Sequence, residues 1–147
     1  MNVHDIVERT VHKYGTRSPY ELAERMGIIV QKRDLGTIRG YYFKKYRVKL
    51  ITLNENLSEL DERFVFAHEI GHSVMHEDAN TPFLMENTLF SKNKLEREAN
   101  LFAIELLVPD EIVTENPDLT LEQMARLTGY REELLRCKNI LKTSMRG

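Results

Sequence analysis

Apolar positions recur along this chain with two different periods. Between residues 2 and 14, Val3, Ile6, Val7, Val11 and Tyr14 fall at helical spacing and form one stripe, which Gly15 ends. Ser18-Pro19-Tyr20-Glu21 reads as a helix start, with Ser18 as the cap, Pro19 in the first turn and Glu21 reaching back; that helix ends at Gly27. The pattern then becomes β-like. Ile28–Val30, Tyr41–Phe43 and Val48–Leu53 are rich in β-branched and aromatic residues, and Gly36, Gly40 and the charged stretch 44–47 separate them. Helical spacing resumes at Ser58. A long helix is expected to about Glu77, with Phe64, Ala67, Gly71, Val74 and Met75 on its apolar side. A loop containing Pro82 follows, then a helix over about 94–107 that stops before Pro109. Two further helices are expected, one from Thr120 to Gly129 and one over about 131–143.

Because the strands cluster early and helices surround them, this order predicts an α+β fold. The expected architecture is a small, mostly antiparallel three-stranded sheet packed by helices, in one domain over residues 1–147. Its catalytic part would lie within 1–110, with a C-terminal helical segment over 111–147. Within that segment, helix, Gly129-Tyr130, helix has the outline of a helix-turn-helix. A DNA reader would carry basic residues at the start of its second helix, but this one begins Arg131-Glu132-Glu133. Packing or partner docking is the better expectation, with direct nucleic-acid binding as a rival.

Composition narrows the classes. The 147 residues suffice for a real core, and a net charge of −2 provides no overall field toward nucleic acid or anionic membrane. The single cysteine, Cys137, fits a reducing compartment and reads as a structural thiol beside Leu134 and Leu141. The N-terminus lacks the pattern of a secretory signal, and no apolar run approaches membrane-spanning length, so the cytoplasm is the expected location.

The chemistry concentrates at His68-Glu69-Ile70-Gly71-His72. Two histidines four apart on a helix point from one face, and their imidazoles can share one tetrahedral zinc ion. Glu69 is offset by about a quarter turn, so it can act on water without occupying a metal position; this is the H-E-x-x-H arrangement, with the glutamate as general base. A shuffled chain with these 5 histidines would show the pattern only roughly 0.02 times. Gly71 inside the helix costs about 1 kcal/mol relative to alanine, which implies close packing there.

A catalytic zinc normally takes three protein ligands and leaves one position open. His76 is poorly placed for the third, because it lies about 12 Å along the axis from His68; it reads as a residue behind the ligands or in the cleft. Glu96 on the next long helix is the better candidate. Asn100, at i+4, is on the same face and can hydrogen-bond the outer nitrogen of a ligand histidine, while Glu98 falls on the opposite side and reads as solvated. His76, Tyr41 and Tyr42 are the candidates to stabilise the oxyanion, with a place in the core as the alternative for the tyrosines. A substrate segment would be expected to add a strand to an exposed sheet edge within residues 40–54.

The pair HEIGHSVMH (68–76) and LEREANLFAIELLVP (95–109) resembles the ImmA/IrrE group of small metallopeptidases. The resemblance runs over about residues 18–137 and rests on Glu96, Ala99-Asn100, Phe102-Ala103 and Leu106–Pro109 together with the histidine motif. It implies a zincin-like fold, one catalytic Zn2+ held by His68, His72 and Glu96, and Glu69 as catalytic base. It also implies a role. Such proteins act as anti-repressors of mobile elements or stress regulons by cleaving a helix-turn-helix repressor. Some members carry a longer C-terminal partner-binding region, which is expected to be absent here. The alternative is a regulatory module that holds zinc and controls the repressor by binding alone.

Overall fold

The computed structural model describes residues 2–79, 83–84 and 93–144. The predicted loop with Pro82 lies largely outside them. The order of elements is α1 (Val3–Tyr14), α2 (Pro19–Met26), β1 (Ile29–Arg33), β2 (Ile38–Lys45), β3 (Val48–Asn54), α3 (Glu59–Met75), β4 (Phe83–Leu84), α4 (Lys94–Leu107), α5 (Asp110–Thr114), α6 (Leu121–Thr128), α7 (Glu132–Arg136) and α8 (Asn139–Ser144). The class is α+β.

Local chemistry sets the boundaries. Ser18, Ser58 and Thr120 each accept a backbone N–H of the first helical turn, and Thr120 with Gln123 completes a capping box. Gly15, Gly27 and Gly129 end their helices in the left-handed conformation.

The sheet departs from the expectation in two ways. Its order is β1-β3-β2-β4, so a fourth, two-residue strand joins the outer edge of β2. β1 pairs with β3 in parallel, Ile29 opposite Leu50, whereas β2 pairs antiparallel with β3 and β4. The sheet is therefore mixed. Chain order cannot reveal this, because β1 and β3 become neighbours only when the β2–β3 hairpin places β3 between β1 and β2. β3 is consequently interior, flanked on both sides, and Val48–Asn54 offers no edge on which a peptide could add a strand. The C-terminal prediction is corrected as well. The single helix expected over 131–143 is two short ones, interrupted at Cys137-Lys138, and the short helix α5 precedes α6 where the pattern shows only a turn.

The main core lies between one face of the sheet and α1–α4, around Val7, Leu22, Tyr42, Ile51, Leu53, Phe66, Ile70, Phe102 and Leu106. A second cluster joins the end of α4 to α6–α8 through Ile104, Val108, Met124, Leu134, Leu135 and Leu141. Cys137 is half-buried beside this cluster, its Sγ 3.4 Å from the Glu133 carbonyl oxygen. α3 runs between the sheet and α4, so every residue from Val65 to Ser73 is buried. A helix covered all round loses a clean amphipathic stripe, and polar residues within it become conspicuous.

Candidate metal centre

Among the described residues, a cluster of ionisable side chains lies buried where α3 meets the first part of α4. His68, Glu69, His72 and Glu96 are each no more than 2% exposed. Burial of that kind costs folding energy unless the groups are paired or hold a metal. α3 supplies the first three and α4 the fourth.

The two helices approach closely because Gly71 lacks a side chain. A Cβ there would sit 3.0 Å from Cβ and Cγ of Phe102. The contact implied by a glycine in mid-helix is thus with the ring that precedes Ala103 on α4. With the helices this close, Glu96 reaches both histidines. Its Oε1 lies 2.8 Å from His72 Nε2 and its Oε2 lies 3.2 Å from His68 Nε2. The imidazole rings stand nearly perpendicular, with centroids 4.8 Å apart.

The outer nitrogens are held too. His68 Nδ1 is 2.8 Å from Asn100 Oδ1. An amide oxygen only accepts, so Nδ1 carries the proton and donates. The Nε2 lone pair of a neutral His68 then faces a carboxylate oxygen at 3.2 Å. Two such electron-rich atoms need a cation between them. Burial lowers the pKa of His68, against the pull of Glu96, which disfavours a second proton as that cation. A divalent ion satisfies the arrangement, and the donor set of two imidazoles and a carboxylate is one that zinc accepts.

Glu69 lies beside the cluster with both carboxylate oxygens buried and without a hydrogen-bond partner. Burial, aided by the nearby Glu96, raises its pKa well above the usual carboxylate value. In Glu96, burial acts upward, but the closeness of His68 and His72 outweighs it and holds the carboxyl at about 2. The two carboxylates are therefore driven apart: Glu96 stays anionic, while Glu69 has raised affinity for a proton.

The remaining predicted residues divide. His76 Nδ1 is 2.9 Å from His72 Nδ1, which places it behind a candidate ligand. Glu98, expected in solvent on the far side of α4, instead has Oε1 3.3 Å from His76 Nε2. Helical spacing misses this because His76 is the cap of α3, with φ −134°, and has left the helical path. The two candidate tyrosines lie on opposite faces of β2. Tyr42 is a core aromatic, 1% exposed, whose hydroxyl donates to the Glu77 carbonyl. Burial raises its pKa to about 12. Tyr41, one residue earlier, faces the opposite side of the sheet from α3.

The sequence profile of the IrrE N-terminal-like domain, a peptidase family, matches residues 23–134, which contain the whole cluster. The chain belongs to the ImmA/IrrE family. It is 44% identical over 137 residues to a protein called "Uncharacterized immunity region protein 2" of Bacillus phage phi105, covering 91% of this chain and 87% of that one. It is 36% identical over 111 residues to "Metallopeptidase ImmA" of Bacillus subtilis (strain 168), covering 74% of this chain and 64% of that protein. The family implies a metal, and His68, His72, Glu96 and the unpartnered Glu69 are the residues that fit one. Among the described residues, no helix of this family member is long and apolar enough to cross a membrane.

Proposed function

We propose that this chain is a zinc-dependent endopeptidase that cleaves a cognate helix-turn-helix repressor and so lifts repression of a mobile element. The observation that carries the catalytic reading is Glu69: a fully buried carboxylate with no hydrogen-bond donor, beside two histidines that already share Glu96. A stability role does not account for an unpaired buried carboxylate. The regulatory part rests on the names of the relatives, an immunity-region protein and ImmA.

His68, His72 and Glu96 would hold the ion, and Asn100 and His76 would orient the histidines from behind. When bound, the ion supplies Lewis acidity toward water and carbonyl oxygen, enough to bring the pKa of water to about 7. Glu69 takes the proton from the attacking water at a carboxylate oxygen, and its raised affinity for that proton suits the task. It then delivers the proton to the departing amine. Burial of the cluster excludes bulk water and strengthens each of these interactions. The C-terminal pair α6 and α7 is a docking unit for the substrate protein in this reading. A second helix of five residues opening on Glu132 and Glu133 is a poor partner for phosphates.

The deciding experiment sets the wild type and Glu69→Gln against the helix-turn-helix repressor proposed as substrate. The wild type cuts the purified repressor in the presence of zinc. The variant keeps its zinc and its fold but loses cleavage by at least about a hundredfold. Relief of repression by the variant in cells, without cleavage, would replace the peptidase reading with control by binding alone.

A further inference from the structure

We propose that the chain carries a second, structural site for a divalent ion of the zinc class, formed by His4, Glu105 and Asp110. The site is separate from the first. Glu105 follows Glu96 by nine residues on α4, which is about 13 Å along the axis and about half a turn around it. It therefore faces away from the histidine cluster.

Three helices converge there. His4 comes from the first turn of α1, Glu105 from α4 and Asp110 from the start of α5. One ligand atom from each lies within 4.8 Å of the others. His4 Nε2 is 2.7 Å from Asp110 Oδ2 and 3.6 Å from Glu105 Oε2. Donor atoms of a tetrahedral ion with bonds of about 2.0–2.2 Å stand roughly 3.3 Å apart, so these separations bracket the required value.

The carboxylates are positioned for this by Lys138, which is fully buried. Its ammonium lies 3.2 Å from Glu105 Oε1 and 3.1 Å from Asp110 Oδ1. The backbone N–H of Asn139 also donates to Glu105 Oε1. One oxygen of each acid is thus committed to the C-terminal segment, and the other oxygen of each is turned toward His4. Glu105 is 1% exposed, and its Oε2 is buried without any hydrogen-bond partner. A buried carboxylate oxygen with the His4 imidazole nitrogen at 3.6 Å, outside hydrogen-bond reach, is the observation that points to a cation. Two acids and one ammonium leave a single negative charge, which a proton on His4 balances in the metal-free chain and which a divalent ion would balance in its place. The His4 and Asp110 side chains are 22% and 27% exposed, which gives the ion a path and leaves room for water to complete its coordination. Such an ion would tie α1 and α5 to α4 at the point where Lys138 anchors the C-terminal helices.

The test uses the full chain, stripped with a chelator and equilibrated with Zn2+ alone, and reads metal per chain and thermal midpoint. The wild type is expected to take up two ions. His4→Gln, which keeps a hydrogen-bonding side chain but not the imidazole ligand, is expected to take up one, and so is His68→Ala. In the His68→Ala background, Zn2+ should still raise the thermal midpoint, and adding His4→Gln should abolish that rise. Uptake of one ion by the wild type overturns the proposal, as does unchanged uptake by His4→Gln. If His68→Ala does not fold, the comparison of wild type with His4→Gln decides the matter alone. Because the His4 readouts are uptake and stability rather than cleavage, they stand or fall independently of the peptidase reading.

Discussion

Replacing Gly71 with alanine tests whether the close approach of α3 and α4 is what assembles the metal centre. The added Cβ would lie 3.0 Å from Cβ and Cγ and 3.1 Å from Cδ1 of Phe102. Carbon atoms in contact prefer about 3.5–4.0 Å, so roughly half an ångström must be found. Phe102 is fully buried, and its own Cβ is among the atoms met, so rotating the ring does not relieve the contact. The helices must separate. Overpacking of this kind costs about 1–3 kcal/mol, and alanine recovers about 1 kcal/mol in helix propensity. The net loss of stability in metal-free protein is then only about 0–2 kcal/mol. The effect on metal should be larger. Ligand atoms must be placed within about 0.2 Å, and Glu96 rides on the helix that moves. Affinity is expected to fall at least about tenfold, comparable to the loss of an outer hydrogen-bond partner. Urea unfolding with chelator present gives the first quantity, and competitive zinc titration at neutral pH gives the second. A variant that is more stable than the wild type and binds zinc equally well would show that Gly71 has nothing to do with the site.

Further outcomes follow from the same geometry. Asn100→Ala removes the acceptor of the His68 Nδ1–H and should weaken zinc binding by about 10–100-fold; an unchanged dissociation constant would show that the hydrogen bond does not orient the ligand. Glu69→Gln removes a carboxylate that burial makes costly to ionise, so chelator-treated variant should unfold at a higher urea concentration than the wild type at neutral pH; a lower midpoint would contradict the assigned burial of that charge. For His4, burial acts downward, but the hydrogen bond to Asp110 and the charges of Glu105 and Asp110 outweigh it, and its pKa is raised from 6.5. A raised histidine stabilises the fold fully below its unfolded value and loses that contribution as pH rises through the folded one. In chelator-treated wild type, stability should therefore decline above pH 6.5, and His4→Gln should flatten that decline. Asp110 has a lowered pKa and acts in a separate, acidic window below 3.8, so parallel curves for the two proteins above pH 6.5 would refute the assignment to His4.

Much of this chain was legible in its sequence because the signals were local. Helical period and end chemistry located α1, α2, α4 and α6: Ser18, Thr120 and the left-handed glycines act within a few residues of themselves. The His68–His72 pair and the Glu96–Asn100 pair were each readable for the same reason, since i and i+4 share a face whatever the helix packs against. That Gly71 marks a close contact was also readable, from its cost.

What the tertiary structure decided was which faces meet. The parallel pairing of β1 with β3 depends on the β2–β3 hairpin placing β3 between β1 and β2, and no local pattern encodes that. The His76–Glu98 contact required His76 to leave the helical path. The fate of Tyr42, a core ring rather than a group of the cleft, followed from α3 lying on its side of the sheet. The network of His4, Glu105, Asp110 and Lys138 joins residues up to 134 positions apart, and nothing in their spacing announces it. Hydrogen bonding within a turn acts at fixed sequence separation and can be read along the chain. Burial and long-range charge pairing depend on the packed arrangement, and only the folded molecule shows which side chains they bring together.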